Sequence, residues 1–536
     1  MASDATLAPA GGNLLDGMRL RVARARIRGG VRDGILAAIA GVGLVGGALL
    51  IVVAAANAPT FLVPESHSTW YPSWLSGPLG GLWPGLPSSI AFDKDLFTFS
   101  LVGMFLAYLL ALRHAPRVRA RWTVLVIVAL HVVMVLSPPL SLTDVFNYLN
   151  YGRMEIVHHL NPYATVPILE PHNDPTFPLS NWHHLLSPYG PLFTIFTFGL
   201  VPLGVAGGLW TYKVLLMCAS LGSIFLVWRC AELLGRDPIR AVVFIGCNPL
   251  VLIWGLGGDH NDFFMVLLLM VALYSALRVR RAPSAPGAAS PWGVLPVVAP
   301  RPPAGTVVAA ATIEPLVAGG ARLRARMRRI ELSWWEVGAG VALVAAVAVK
   351  ASVAVLVPVV LLGTRNRRSL FAGLVLGVLL VGTMSLIAFG THLPDLTTQQ
   401  QQVTIMSLPN LFGLAIGVGG ETNAIHTACD VLLILTVVVS SAWAWRKRVI
   451  IGPAATATVA LLVTLSWVLP WYVLWILPLA ALTRWRWLSG FAVAYSIYLI
   501  LAWFPLQSNV LQAIHWKPSD TSVAIAHQDE SNRLLR

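Results

Sequence analysis

The feature that most constrains this chain is a succession of apolar runs, nearly free of charge and separated by short basic segments. A helix needs roughly 20 apolar residues to cross the ~30 Å hydrocarbon core of a bilayer. Only 11% of the 536 residues are charged and 57% are hydrophobic. A soluble chain carries about 25% charged residues, because its surface must face water. The sequence therefore predicts an all-α polytopic membrane protein.

Thirteen apolar segments qualify as candidate spans, although several are short. They are 35–57, 96–113, 122–140, 208–230, 241–257, 262–279, 333–349, 350–363, 369–390, 425–444, 449–468, 471–483 and 487–505. The chain is thus expected to divide into a tail (1–33), three transmembrane helices (34–140), a large external loop (141–207), helices joined by a polar turn (208–279), a loop (280–332), C-terminal helices (333–506) and a tail (507–536).

The positions of the basic residues predict the orientation of the chain. The net charge of +14 would be compatible with nucleic-acid binding. However, Lys and Arg cluster between apolar segments, which is typical of cytoplasmic loops and leaves no nucleic-acid partner to be expected. The clusters are Arg19–Arg32, Arg113–Arg121, Arg278–Arg281, Arg322–Arg329, Arg365–Arg368 and Arg446–Arg448. The N-terminus is predicted to be cytoplasmic and the first span retained rather than cleaved, in a multi-pass protein of the plasma membrane.

This orientation conflicts with one apolar segment, 191–206. Counting it as a full span would place 141–190 and 257–262 on opposite faces, or move the arginines of 229–240 outside. A re-entrant or interfacial helix on the outer face resolves the conflict, and Gly199 and Pro202 fit a broken element. The loop 280–332, rich in Pro, Ala and Arg, is predicted to be cytoplasmic and disordered.

The cysteines and glycine-rich patterns indicate no bound group. The four cysteines have no CxxC spacing and no nearby histidine, so neither a zinc site nor a disulfide framework is indicated. No GxGxxG or Walker-type loop is present, so no nucleotide-binding fold is expected. We therefore predict no cofactor.

The densest group of polar residues follows the third span, and Asp144 begins it. A carboxylate at the membrane–water boundary suits a general base, although Asp144 could instead only cap the next helix. Tyr148 and Tyr151 follow on one helical face, where they fit either sugar stacking or an interfacial aromatic belt. Arg153 could pair with a phosphate.

A second polar group is the turn 257–262, with the sequence GGDHND. Asp259, His260, Asn261 and Asp262 lie between two apolar segments, where polar groups are costly unless they face a cavity. The alternative is a turn fully exposed to water. Two carboxylates and one imidazole without further spaced ligands do not predict a metal site.

A lone lysine, Lys350, interrupts the apolar stretch 333–363. That stretch is too long for one crossing and short for two, so we expect two short helices meeting at Lys350 in a wet cleft. Its partner would be either a lipid phosphate or a carboxylate, Asp144 or Asp262. The segments 407–414 (SLPNLFGL) and 469–475 (LPWYVLW) are expected to line the same cleft.

These motifs together resemble a known family. TDVFNYLNYGR, LNPY, SPYGPL (which contains Tyr189) and NPLVLIWGLGGDHND, in this order and spacing, are similar to the actinobacterial polyprenyl-phosphomannose-dependent α-mannosyltransferases. Those enzymes are polytopic glycosyltransferases of the GT-C type. The similarity covers roughly 96–280 well, and 330–500 only as a hydropathy pattern.

The resemblance implies an inverting sugar transfer on the outer face, from a polyprenyl-monophosphate donor to a glycan or glycolipid acceptor. It implies that Asp144 is the base and that Tyr148, Arg153, Tyr189, Asp259, His260, Asn261, Asp262 and Lys350 contact substrate. The sequence departs from the family at Asp259, an extra acid, and at Asp144, which stands without a second adjacent acid. A transporter or flippase of a lipid-linked sugar, or a non-catalytic scaffold, would share the hydropathy.

Overall fold

A computed structural model describes residues 12–57, 72–86, 89–141, 144–279 and 332–535, and the side chains among these from residue 30 onward. These residues form nineteen α-helices, joined by short 3₁₀ turns, and no β-strand. The helices are α1 (Gly12–Asn57), α2 (Ile90–His114), α3 (Ala120–Val135), α4 (Asp144–His158), α5 (Pro191–Phe198), α6 (Gly204–Leu233), α7 (Pro238–Gly246), α8 (Asp262–Arg278), α9 (Trp334–Val349), α10 (Val357–Gly363), α11 (Arg367–Phe389), α12 (Leu396–Gln400), α13 (Leu408–Ala415), α14 (Asn423–Lys447), α15 (Ile451–Thr464), α16 (Val473–Leu482), α17 (Arg486–Trp503), α18 (Gln507–Ala513) and α19 (Ser522–Leu535).

The all-α membrane architecture is confirmed, and every candidate span contains helix. Six described helical stretches are long and apolar enough to cross a membrane, and five shorter apolar helices accompany them. The six are Gly30–Asn57, Ile90–Arg117, Pro191–Leu233, Arg367–Phe389, Asn423–Lys447 and Arg486–Trp503. The total of about thirteen crossings stays a prediction.

The segment expected to be broken is interrupted twice. Helix α5 has 8 residues, about 12 Å, which is too short to span the bilayer. A 3₁₀ turn (Val201–Leu203) follows, and Gly204 then adopts a positive φ of 69° at the start of α6. Helix α6 has 30 residues, about 45 Å, and is long enough to cross alone. Helix α5 is therefore an additional element, as the re-entrant interpretation requires.

The loops gather at two ends of the helical bundle. At one end, the basic loops contact each other: Arg367 donates to the carbonyl of Trp445 at 3.4 Å, and Arg448 to that of Thr364 at 3.5 Å. At the other end, the loop 159–190 meets the end of the chain, because the amide of His184 donates to the carbonyl of Leu534 at 3.1 Å. The basic loops and the loop 159–190 thus make separate sets of contacts.

Glycines allow the central helices to pack closely. Helix α9 packs against α8 and α11. A Cβ atom at Gly373 on α11 would lie 2.1 Å from the carbonyl oxygen of Val337 on α9, so only glycine fits. Small residues at such contacts let transmembrane helices approach without a large side chain between them.

The predicted terminal regions differ from the structure in detail. The segment 507–536, predicted as a C-terminal tail, contains α18 and α19, and Ala524 and Leu534 on α19 are buried. Helix α1 already begins at Gly12, within the predicted N-terminal tail. The predicted disordered loop 280–332 lies outside the described residues, apart from its last residue.

Candidate active site

A backbone hydrogen bond brings the two polar segments of the sequence together. The amide of Leu140, just after α3, donates to the carbonyl of Gly257 at 2.8 Å. Ser141 then turns the chain with a positive φ of 74°, and α4 starts at Asp144. The first turn of α4 is thereby placed beside the 257–262 turn.

The 257–262 turn has an unusual backbone that aims its side chains inward. A π-helical turn (Val251–Leu256) precedes it, a form frequent at functional sites. Asp259 has a φ of 58°, in the left-handed region that Asp tolerates better than most residues. At Gly258 a Cβ atom would lie 2.2 Å from the carbonyl oxygen of Trp254, so glycine is required. The four polar residues 259–262 are all buried.

Asp144 and His260 form the centre of the site. Nδ1 of His260 lies 3.3 Å from Oδ2 of Asp144. The side chain of Asp144 is 17% exposed, whereas that of His260 is 1% exposed. The imidazole stacks on the ring of Trp471, with centroids 3.4 Å apart and planes at 9°, so its orientation is fixed. The expected proximity of Asp144 to the turn is therefore observed.

Asp259 forms an ion pair with Lys213 on α6, a residue that the sequence analysis did not single out. Nζ of Lys213 donates to both carboxylate oxygens of Asp259 at 3.1 Å, and both side chains are 1% exposed. Lys213 lies within a long apolar segment, like Lys350, and that isolated charge was the available signal. This pair is sealed from solvent, which favours a structural role in holding the turn.

Asp262 is held by Lys350 and by the aromatic segment 469–475. Nζ of Lys350 donates to Oδ1 and Oδ2 of Asp262 at 3.0 and 2.9 Å. Nε1 of Trp475 donates to Oδ1 of Asp262 at 2.5 Å. The ammonium also lies 4.7 Å from the ring centre of Tyr472. Of the two carboxylates expected as partners, the structure selects Asp262.

Lys350 occupies a break between helices, as expected from the length of its apolar stretch. Helix α9 ends at Val349, Lys350 is extended, and a 3₁₀ turn (Ala351–Leu356) leads into α10. The amide of Gly190 donates to the carbonyl of Val349 at 3.2 Å, which fixes the SPYGPL motif beside this break. A Cβ atom at Gly190 would lie 2.1 Å from the carbonyl oxygen of Ala348, so the approach requires glycine.

Tyr189 and Tyr148 pack against each other between these segments. Their ring centroids are 4.8 Å apart and their planes stand at 89°. Tyr148 also contacts Tyr212 on α6, at 5.8 Å between centroids. Tyr151 donates its hydroxyl to the carbonyl of Leu185 at 2.8 Å. The tyrosines therefore join α4 to the SPYGPL motif and to α6.

Arg153 has an internal partner. Its guanidinium donates to both oxygens of Asp174 at 2.9–3.0 Å, and Nε2 of His158 lies 2.7 Å from the same carboxylate. Burial would raise the pKa of Asp174, but hydrogen bonds from Arg153, Thr176 and His158 outweigh it and hold that pKa below its usual value. This group braces the external loop, so we assign no phosphate to Arg153.

Several buried polar atoms around the turn have no hydrogen-bond partner among the described residues. They are Nδ1 of His260, both amide atoms of Asn261, the hydroxyl of Tyr212 and Nε1 of Trp471. A buried polar group left unpaired costs about 1–3 kcal/mol, so these atoms favour a polar ligand. Sugar hydroxyls, which both donate and accept, are suitable partners. Within the described part of the chain, no three His, Cys, Asp or Glu residues are grouped to hold a metal ion.

The sequence of the chain matches a known protein family. The sequence profile of the family described as alpha-(1->6)-mannopyranosyltransferase, N-terminal domain, matches residues 39–365, more than half of the chain. The chain belongs to this family. The matched region contains the motifs of the site from Asp144 to Lys350. Membership confirms the resemblance drawn from those motifs.

Curated relatives carry the same description. The chain is 33% identical over 148 residues to alpha-(1->6)-mannopyranosyltransferase A of Mycobacterium tuberculosis, covering 26% of this chain and 28% of that protein. It is 29% identical over 159 residues to alpha-(1->6)-mannopyranosyltransferase A of Corynebacterium glutamicum, covering 28% and 31%. A longer match, 27% identical over 409 residues, is to another alpha-(1->6)-mannopyranosyltransferase of M. tuberculosis, covering 67% and 65%.

The chain therefore spans less than two thirds of the length of each of these relatives in the match. No solved structure matches the chain.

Proposed function

We propose that the chain is a membrane mannosyltransferase that transfers mannose from a polyprenyl-monophosphate donor to a glycan or glycolipid acceptor on the outer face, with inversion. The observation that carries the proposal is the partly exposed carboxylate of Asp144 next to the buried group of His260, Asp262 and Lys350. Family membership and the names of the relatives support mannose as the sugar and an α-(1→6) linkage.

Asp144 is the general base in this proposal. Inverting transfer needs a base that takes the proton of the acceptor hydroxyl as the anomeric carbon gains positive charge. The carboxylate of Asp144 accepts no hydrogen bond from a described side chain, and its nearest basic neighbour is the imidazole of His260. The side chain is 17% exposed, so solvent reaches it. The imidazole of His260 lies 3.3 Å away but makes no hydrogen bond to the carboxylate, which therefore stays available to an acceptor hydroxyl.

Lys350 holds the donor phosphate. Its ammonium has three N–H donors and makes two hydrogen bonds to the carboxylate of Asp262, while its side chain stays 18% exposed. A phosphate oxygen arriving at the open side would share this ammonium, and the positive charge would stabilise the leaving polyprenyl phosphate. Asp262 thus orients Lys350, and the unpaired amide of Asn261 is available to sugar hydroxyls.

The contact between the external loop and the end of the chain supports the proposed topology. Ten candidate spans lie between 207 and 506, an even number, so both ends of this region belong on one face. The bond between His184 and Leu534 joins those ends. If 191–206 were an eleventh crossing, the two would lie on opposite faces.

The proposal is tested by Asp144→Asn in membranes supplied with polyprenyl-phosphate-linked labelled mannose. Because a general base contributes roughly 10²–10⁴-fold, we expect transfer to fall by about 1,000-fold. Asp430→Asn is the matched control, since its carboxylate is 64% exposed on α14 and lies outside the site. Transfer by Asp144→Asn at the control rate would contradict the role of Asp144. Movement of the donor lipid without a new glycosidic bond in the wild type would favour the flippase alternative.

A further inference from the structure

One cavity lies outside the site described above. It has a volume of about 680 Å³, is open to the surface, and is lined by the segment 403–410, the end of α17 and the C-terminal helices α18 and α19. Pockets for small organic ligands occupy about 300–1,000 Å³. We call it the C-terminal cavity. It is large enough to bind part of a sugar chain.

The lining of the C-terminal cavity combines flat aromatic rings with neutral side-chain amides. Beside aliphatic residues such as Ile405 and Leu511, the tryptophan and glutamine side chains of the lining are Trp467, Trp503, Trp516, Gln507, Gln512 and Gln528. None of the three glutamine amides is hydrogen-bonded to another described residue, so their donors and acceptors are available to a ligand. The charged lining residues Lys517 and Asp520 pair with each other at 3.6 Å, so their charges neutralise each other. This chemistry fits a neutral polyhydroxylated ligand and not a phosphate.

A second, apolar cavity on the molecule provides a contrast. It has a volume of about 780 Å³ and lies between α1, α3 and the end of α7, with aliphatic residues and glycines over most of its wall. Such a surface is compatible with lipid chains. The amides and tryptophans of the C-terminal cavity are therefore not a general property of the grooves of this protein.

Two series of contacts link the wall of the C-terminal cavity to the active site. Trp467 packs edge-on against Trp182 of the external loop, with centroids 6.3 Å apart, and the amide of Trp182 donates to Oδ1 of Asn147 at 3.3 Å. Asn147 lies one turn after Asp144 on α4. Four residues after Trp467, Trp471 stacks on His260.

We propose that the C-terminal cavity binds the oligosaccharide part of the acceptor, at a distance from the hydroxyl that reacts. This inference rests on the proposed transferase function and adds an acceptor subsite to it. The tryptophan rings contact the apolar faces of successive sugars, and the glutamine amides bind their hydroxyls. In this proposal a long acceptor reaches both the cavity and Asp144, whereas a short one reaches only Asp144.

The test is Trp516→Ala, assayed with α-mannoside acceptors of two and of eight residues. We expect the ratio of kcat/KM for the long acceptor to that for the short one to fall about tenfold, because a lost aromatic contact is worth up to about that factor. Trp487→Ala is the matched control, since Trp487 is an exposed tryptophan at the opposite end of α17. An unchanged ratio in Trp516→Ala would overturn the subsite.

Direct binding separates this inference from the proposed function. Calorimetry of the purified Asp144→Asn protein with the eight-residue mannoside should show binding, and adding Trp516→Ala should raise Kd about tenfold. Binding by a wild-type protein that transfers no sugar would refute the transferase but retain the subsite. Transfer by the wild type, with equal affinity of the two Asp144→Asn proteins for the mannoside, would refute the subsite and retain the transferase.

Discussion

The carboxylates of the active site fall into two groups with different surroundings. Asp259 and Asp262 each accept two hydrogen bonds from a lysine ammonium, and their side chains are 1% exposed. Asp144 has only a misaligned imidazole 3.3 Å away and is 17% exposed. The paired carboxylates build the turn and place Lys350, and the open one is free to accept a proton. In the proposed mechanism, the base is the acid that lacks a paired cation.

The largest expected effect comes from breaking the buried ion pair of Lys213 and Asp259. Lys213→Met leaves Asp259 buried without its cation, and breaking one partner of a buried pair costs about 3–5 kcal/mol. We expect a corresponding loss of stability in thermal unfolding of the purified protein in detergent. The double variant Lys213→Met/Asp259→Asn should recover most of it, because no unpaired charge remains. Equal stability of the single and double variants would show that the pair has no structural role.

The next effect concerns Lys350 and Asp262, the ion pair whose lysine is partly exposed. Lys350→Met should lower kcat/KM for the lipid donor by about 100-fold, the usual cost of losing one donor to developing negative charge. Lys350→Arg keeps the positive charge and should retain more activity than Lys350→Met. If both variants use the donor as the wild type does, the phosphate lies elsewhere.

The smallest effect concerns Glu170, a buried acid of the external loop. Burial, with a smaller contribution from nearby Asp174, raises its pKa from 4.5 to about 7, against opposing effects of Asn150 and Arg153. The folded protein therefore favours the protonated acid, a stabilisation present below pH 4.5 and lost as the pH rises through 7. Glu170→Gln should match the wild-type Tm at pH 4.5 and exceed it by roughly 2–4 °C at pH 8. A gain independent of pH would exclude this titration as the cause.

The sequence was sufficient for the helices because the bilayer imposes the length and polarity of each span. The break at 191–206 was also predictable, since Gly199 and Pro202 interrupt an apolar run. The packing of α18 and α19 on the external loop was not, because contacts between residues as distant as His184 and Leu534 leave no local pattern.

The site was predictable where a polar residue interrupts an apolar run, as at Asp144, the 257–262 turn and Lys350. Lys213 gave the same signal but lay inside a long span without a motif. The partner of Arg153 could not be predicted, because Asp174 lies 21 residues away in an irregular loop. The sequence indicates which groups are costly to bury, and the fold determines which of them neutralise each other.

The hydrogen bond between Gly190 and Val349 gives the external loop and the helix break of Lys350 a shared backbone joint. The two backbone segments are in direct contact here, because there is no room for a side chain at Gly190. An insertion or deletion on either flank would therefore misalign the lysine and the SPYGPL segment together. Exchange of loops between family members would have to respect this joint to preserve a working enzyme.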